Sequence, residues 1–505
     1  MTLEELAEVS ARVAATRSRL AKRDLIAELL RRTPPAELEL VTAWLAGTLL
    51  QRRTGVGWRG LTDLPPAADH ATLSLAEIDG VLSRLGTLHG PGSATARREE
   101  VAALFARLTA SEQRLLRGLM TGEVRQGAQD AVVLEAIAAA AEVPVAAVRR
   151  AAMFSAPTGP VAVAALTVGE QALRRFTLQA GRPVRPMLAS SAPDVAAALE
   201  KAGGRVAADT KLDGIRIQVH KRADEVQVFT RSLDEIASRL PDVVARTRTL
   251  PARDLVLDGE ALTVDERGRP RPFQDTASRT ASREGTGQVR PFFFDVLLVD
   301  DRDLVTEPLA ERLAVLDGLV PEGMRVRRLV TDTVAEAARF YEQAVADGQE
   351  GVVLKRLDAP YAAGRRGSAW VKVKPRHTLD LVVLAVEWGS GRRQGRLSNI
   401  HLGARDPGSG GFTMLGKTFK GMTDEMLAWQ TERFLQLETS RERHVVHVRP
   451  EQVVEVAFDG LQRSTRYPGG LALRFARVVR YRDDKTVGEA DTIEAVRALA
   501  GPAAD

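Results

Sequence analysis

The hydrophobic period of this chain changes near Gly181-Arg-Pro-Val-Arg-Pro186, and that change limits the folds open to it. Before it, apolar residues recur every three or four positions: Leu3, Leu6, Val9 and Val13, then Leu25, Leu29 and Leu30. Thr109-Ala-Ser-Glu112 has capping-box spacing and opens a helix through Leu115, Leu116 and Leu119. Residues 132–141 continue the helical pattern, while Gly55-Val-Gly-Trp58 and Pro65-Pro66 mark loops. After the switch the period falls to two in short runs: 216–220, 226–230, 255–257, 292–294 and 352–354. A helix is predicted within this part at 334–345. From Asp380 onward, short strands (381–386, 452–456 and 476–481), Gly-rich turns and a helix at 424–437 fit a small β-barrel. The expected organisation is a helical region over 1–175, an α+β domain over 182–379 and a β-barrel domain over 380–505.

Composition removes several functional classes. The chain has no cysteine, which excludes disulfides, a thiolate nucleophile and Cys-ligated zinc. Its seven histidines show no metal-ligand spacing. The longest apolar stretch, 131–141, is too short to span a bilayer and contains Glu135. The acidic start Met1-Thr2-Leu3-Glu4-Glu5 lacks a signal-peptide pattern, so a cytoplasmic protein is expected. A net charge of +5 is compatible with a polyanionic partner.

Chemistry concentrates in the middle part. Lys211-Leu-Asp-Gly214 sets a lysine one step before a turn, between hydrophobic flanks, with Arg216 two residues on. A lysine attacks phosphorus as the free amine, so neighbouring cations or a metal are needed. Lys372 and Lys374 alternate with valines in Trp370-Val-Lys-Val-Lys374 and point to one face of a strand. Glu260 in Leu257-Asp-Gly-Glu260, and Glu350 before Gly351, are single carboxylates of the kind that hold Mg²⁺ against nucleotide phosphates. Phe292-Phe-Phe-Asp295 offers a ring face for a base, although Phe293 faces opposite to Phe292 and Phe294, so that at least one of the three reads as packing. Arg231, after Phe229-Thr230, and Arg366, in Gly364-Arg-Arg-Gly367, are placed to reach a ligand. The run from Arg474 to Lys485 is rich in cations. Plain structural readings stand beside these: Asp213 and Gly214 hold the turn, Asp258 and Asp295 brace, and Arg125, Arg365, Lys417 and Lys420 are ordinary solvated cations. Lys-x-Asp-Gly alone proves little, and its weight comes from the ordered segments after it.

Taken in order, these segments resemble the motifs of the ATP-dependent DNA ligases, within the covalent nucleotidyltransferase superfamily. The likeness runs from about residue 100 to 490. It rests on Asp209-Thr-Lys211-Leu-Asp-Gly214 with Arg216, Thr230-Arg231-Ser232, Leu257-Asp-Gly-Glu260-Ala, Phe293-Phe294-Asp295, Glu350-Gly-Val-Val353, Trp370-Val-Lys372-Val-Lys374 and Arg474–Lys485. Gly122-Glu-Val-Arg125-Gln-Gly127 is a weaker match to a turn of the family's helical domain.

The resemblance implies a helical DNA-binding domain, an α+β nucleotidyltransferase (ATP-grasp-like ligase) domain and a C-terminal OB-fold. It implies sealing of 5′-phosphate/3′-hydroxyl nicks in duplex DNA, through AMP carried on Lys211 and then on the DNA end, with ATP and Mg²⁺. Asp209 would read the adenine edge, Phe294 stack on it, Glu260 serve ribose or metal, and Glu350 the metal. Arg216, Arg231 and Arg366 would contact phosphates, and Lys372 and Lys374 would neutralise the α-phosphate. The last motif would orient pyrophosphate. Asp209 stands where many relatives carry Glu. A monomer without membrane contact is expected, working in replication, repair or recombination. RNA ligases, guanylyltransferases and a catalytically inert DNA-binding relative are the alternatives. An NAD-dependent ligase would be expected to carry a Cys-rich zinc module.

Overall fold

The computed structural model describes all residues except 52, 125, 128–129, 266–269, 272, 283–287, 365, 391–392 and 500–505. Arg125 and Arg365 therefore lie outside the described residues.

From Leu3 to Leu173 the chain is helical. Capping boxes at Thr2/Glu5, Ser74/Glu77 and Thr109/Glu112 satisfy the first free N–H groups of three helices. The helix Ala110–Thr121 ends on Gly122, whose φ of +69° suits a residue without Cβ. The expected apolar stripe is buried: Leu3, Leu6, Val9, Val13, Leu29, Leu30, Leu116 and Leu119 enter one core.

The segment around Gly181 is held to the next region by specific bonds. Gly181 N–H donates to His220 Nδ1 at 2.9 Å, and Val184 exchanges two hydrogen bonds with Gln218. Burial pushes His220 down to about 3, so its ring stays neutral and Nδ1 remains an acceptor.

The middle region contains two antiparallel-dominated sheets. Its strands are β1 (Leu188–Ser191), β2 (Val206–Lys211), β3 (Ile215–Arg222), β4 (Glu225–Thr230), β5 (Asp254–Val264), β6 (Gln288–Val299), β7 (Arg302–Asp303), β8 (Arg328–Thr331), β9 (Gly351–Arg356) and β10 (Arg366–Val373). One sheet has the order β1-β10-β9-β2-β8, with β1 parallel to β10; the other is β4-β3-β5-β6-β7. The chain crosses between them at Leu212-Asp213-Gly214, so Lys211 ends a strand of one sheet where the other begins. Gly214 is required there, because a Cβ would run into the Ala261 carbonyl oxygen.

The remaining strands are β11 (His377–Trp388), β12 (Leu397–Asp406), β13 (Gly411–Thr418), β14 (Glu438–Glu442), β15 (Val445–Val448), β16 (Val453–Phe458), β17 (Gly460–Arg463), β18 (Leu471–Arg474) and β19 (Arg477–Tyr481). They form a curled seven-stranded antiparallel sheet, in which β11 pairs with β12, β15 and β16, plus a small β17–β18 ribbon. The helix Asp424–Gln436 packs Leu427 and Phe434 into the core of this sheet. Among the described residues no helix is long and apolar enough to cross a membrane.

Candidate active site

Three neighbouring strands build one wall of a pocket between the two sheets. Their register stacks Ala207, Lys355 and Trp370 in one layer, and Asp209, Val353 and Lys372 in the next. Lys211 then lies opposite Gly351. Because alternate strand residues share a face, Asp209 and Lys211, Val353 and Lys355, and Trp370 and Lys372 all line the pocket. Glu260 from β5, Arg216 from β3 and Phe294 from β6 line it from the second sheet, with Arg231 and Arg366 at exposed positions on its rim.

At the Lys211 end, Glu350 pairs with two amines, Lys211 through Oε2 and Lys374 through Oε1. Lys374 also lies 3.4 Å from Asp459 of the C-terminal region. Burial lowers the Lys372 amine, and Lys374 and Lys211 beside it act in the same direction. Burial opposes the charge of Lys374 too, but Glu350 outweighs it and the amine is raised. Burial also pushes the Glu260 carboxyl up to about 7, against the pull of Lys211 and Arg216.

At the other end, Phe294 and Trp370 meet edge to face, with centroids 5.9 Å apart. The Lys355 amine sits over both rings, at 4.0 and 4.3 Å. It lies 2.7 Å from Asp209, which Arg328 also grips with two nitrogens. Burial raises Asp209, yet Arg328 and Lys355 together hold the carboxyl below its usual range.

Supporting contacts fix both sheets. Arg216 forms a fork with Asp258 at 2.8 and 2.6 Å while stacking over Phe294 and Trp370. Tyr361 donates to the same Asp258 at 2.6 Å and accepts from Met187 N–H. Asp295 pairs with Arg312 in full burial. Both aspartates brace, as expected. Phe293 is fully buried in the core behind the pocket, and Phe294 faces the pocket.

The C-terminal cations divide. Arg474 donates to Asp213 and lies over Phe273, so it reaches the turn that carries Lys211. Arg482 and Lys485 pair with Asp380, and Arg480 with Glu455, away from the pocket. Lys417 is committed to Glu387 rather than solvated.

The pocket therefore brings together Lys211, Asp209, Arg216, Arg231, Glu260, Phe294, Arg366 and Lys372, with Glu350 and Lys374 joined to it at the Lys211 end. Sequence reasoning missed Lys355 and Arg328. Lys355 carried a signal: it stands two residues after Val353, on the same strand face. Arg328 carried none, because β8 is four residues long and its pairing with β2 joins distant segments. Among the described residues no group of three or more His, Cys, Asp or Glu is placed to hold a metal. A cation here would need phosphate oxygens in addition to Glu260 and Glu350.

Three family models match this chain. The ATP dependent DNA ligase domain matches residues 186–374, the ATP dependent DNA ligase C terminal region 393–485 and the DNA ligase N terminus 62–138. A protein described as a probable DNA ligase from Beutenbergia cavernae is 64% identical over 99% of this chain and all of its own length. Another so described, from a Nocardioides species, is 62% identical over 99% of both chains. A solved structure named Pmar-Lig_Pre shares the fold, with a TM-score of 0.64 over 95% of this chain and 99% of its own, at 19% identity. The whole-length likeness and the three ordered matches decide the family over RNA ligases and guanylyltransferases: the chain belongs to the ATP-dependent DNA ligases.

Proposed function

We propose that this enzyme seals 5′-phosphate/3′-hydroxyl nicks in duplex DNA through a lysyl-AMP intermediate on Lys211. The observation that carries the reading is the position of Lys211. It closes one end of a pocket lined by Lys372 and bounded by Lys374 and Glu350, and aromatic rings close the other end. A nucleoside triphosphate laid along the strands would put its base against Phe294 and its phosphates beside the lysines.

In the first step Lys211 Nζ attacks the α-phosphorus. The N–P bond forms, the bond to the bridging oxygen breaks, and pyrophosphate leaves with that electron pair. Glu350 contacts the amine and orients it, and the amine proton passes to solvent as the N–P bond forms. Lys372 and Lys374 balance charge building on the α-phosphate oxygens; one such contact is worth about 3 kcal/mol of barrier. The 5′-phosphate at the nick then displaces Lys211 from AMP. Finally the 3′-hydroxyl attacks that phosphate, and AMP leaves.

Asp209 meets the adenine edge, Phe294 its face, and Glu260 the ribose or a metal. Arg231 and Arg366 reach phosphates from the rim, whereas the Arg216 guanidinium works from its fork with Asp258. The carboxylates of Glu260 and Glu350 suit Mg²⁺, whose chemistry when bound is to neutralise phosphate charge and favour pyrophosphate departure. The helical region over 1–175 would bind duplex DNA, 182–379 would carry the adenylation chemistry, and 380–505 would act as an OB-fold closing over the site, in a cytoplasmic monomer. Support for such closure comes from the contacts of Arg474 with Asp213 and of Gln274 with the Arg463 carbonyl.

The test is sealing of a nicked duplex with ATP and Mg²⁺. Wild-type protein joins the strands, and Lys211→Ala binds the nick without joining it. Sealing by the alanine variant overturns the reading.

A further inference from the structure

Asp209 and Arg328 face each other across β2 and β8. The Arg328 Nε donates to Asp209 Oδ1, and its Nη2 donates to Oδ2 at 3.1 Å and to the Phe294 carbonyl at 3.2 Å. One guanidinium thus ties the carboxylate of one sheet to the backbone of the aromatic residue on the other. Both side chains of the pair are largely withdrawn from solvent, at 13% and 3% exposure. Lys355 supplies a third cationic contact, 2.7 Å from Oδ2. A carboxylate has about four lone-pair sites. Arg328 takes one on each oxygen and the Lys355 ammonium lies against Oδ2 without a directed hydrogen bond, which leaves the Oδ1 side open to a donor entering the pocket.

We infer that Arg328 is a positioning residue for base selection, fixing Asp209 and the Phe294 backbone so that the carboxylate's remaining acceptor meets the 6-amino group of adenine. The inference rests on the proposal that this pocket takes ATP. Held in this way, Asp209 can only accept. An amino-purine satisfies it, while a 6-oxo-purine sets lone pair against lone pair in a buried site, where mispairing is heavily penalised. The arginine fork supplies the rigidity that a short side chain on an edge-proximal strand lacks. Lysine keeps the charge at position 328 but not the fork.

The experiment measures ATP and GTP affinities of the full-length protein by calorimetry, for wild type, Arg328→Lys and Arg328→Gln. Melting temperatures and the rate of Lys211 adenylylation at saturating ATP are recorded alongside. The expected result is a preference for ATP over GTP that falls by about tenfold or more in both variants. The loss should come from weaker ATP binding, with KM raised and the saturated rate little changed. If Arg328→Gln folds poorly, Arg328→Lys decides alone. Equal losses for ATP and GTP mark a merely structural role and overturn the inference, as does an affinity ratio within about twofold of wild type. A wild-type protein that binds ATP selectively but never forms the lysine adduct sinks the proposed function, and the affinity ratio still judges Arg328.

Discussion

Arg474 donates to both carboxylate oxygens of Asp213, at 2.6 and 3.4 Å, joining residues 261 apart in the sequence. Asp213 belongs to the turn that presents Lys211, so the position of the C-terminal region is registered beside that lysine. The pair is partly exposed and by itself contributes under about 1 kcal/mol. Reversing one charge adds repulsion to the loss. Arg474→Glu should loosen the docking, and small-angle scattering should give a larger radius of gyration than wild type. A scattering curve that superimposes on wild type would show that this contact does not hold the two regions together.

Glu260 gives a pH dependence with a definite sign. Its carboxyl lies at about 7 against an ordinary 4.5, mainly through burial. The folded chain binds this proton more tightly than the unfolded chain does. The group's contribution to stability is therefore full below about pH 4.5 and is lost as pH rises through 7. In the reading proposed above, binding of preformed Mg²⁺–ATP against this carboxylate should release a proton at pH 6 and almost none at pH 8. Calorimetry in two buffers of different ionisation enthalpy reads that release. In Glu260→Gln it should vanish, and its persistence there would place the titrating group elsewhere.

Asp295 and Arg312 are fully buried and joined at 2.8 and 3.0 Å, and Arg312 also donates to the carbonyls of Glu307 and Ala359. Removing one partner strands a charge in the core. Asp295→Ala should cost about 3–5 kcal/mol in chemical denaturation. A loss under about 1 kcal/mol would mean that water reaches the arginine.

Phe294 contributes a ring face and no charge. Phe294→Ala should raise KM for ATP by about 5- to 150-fold, corresponding to roughly 1–3 kcal/mol of base stacking. The saturated rate of lysine adenylylation should change far less. A fall in that rate with KM intact would move the ring from base binding to the chemistry.

Much of the fold was legible because hydrophobic period survives at the level of single elements. The helix predicted over 334–345 is Val334–Ala346, and the one over 424–437 is Asp424–Gln436. The run at 255–257 was too short a guide to β5, which extends from Asp254 to Val264 because both its faces are covered. Helices such as Val195–Ala202 and Leu309–Leu319 were not anticipated; they are short, and the latter is apolar on more than one side. The site residues were legible where strand parity places them, as with Lys211 two positions after Asp209. Arg328 was hidden because its role depends on strand pairing across 119 residues. Arg482 and Lys485 carried the right charge for a phosphate role, but Asp380 at the start of the same region binds both.

The proposed role of Lys211 as nucleophile has a direct test. The most direct measurement incubates the protein with ATP and Mg²⁺ and maps any covalent adenylyl group by mass spectrometry. The account predicts an acid-labile adduct on Lys211 that appears with release of pyrophosphate and is absent in Lys211→Ala. An adduct on another residue, or none in a folded protein that binds ATP, would contradict it.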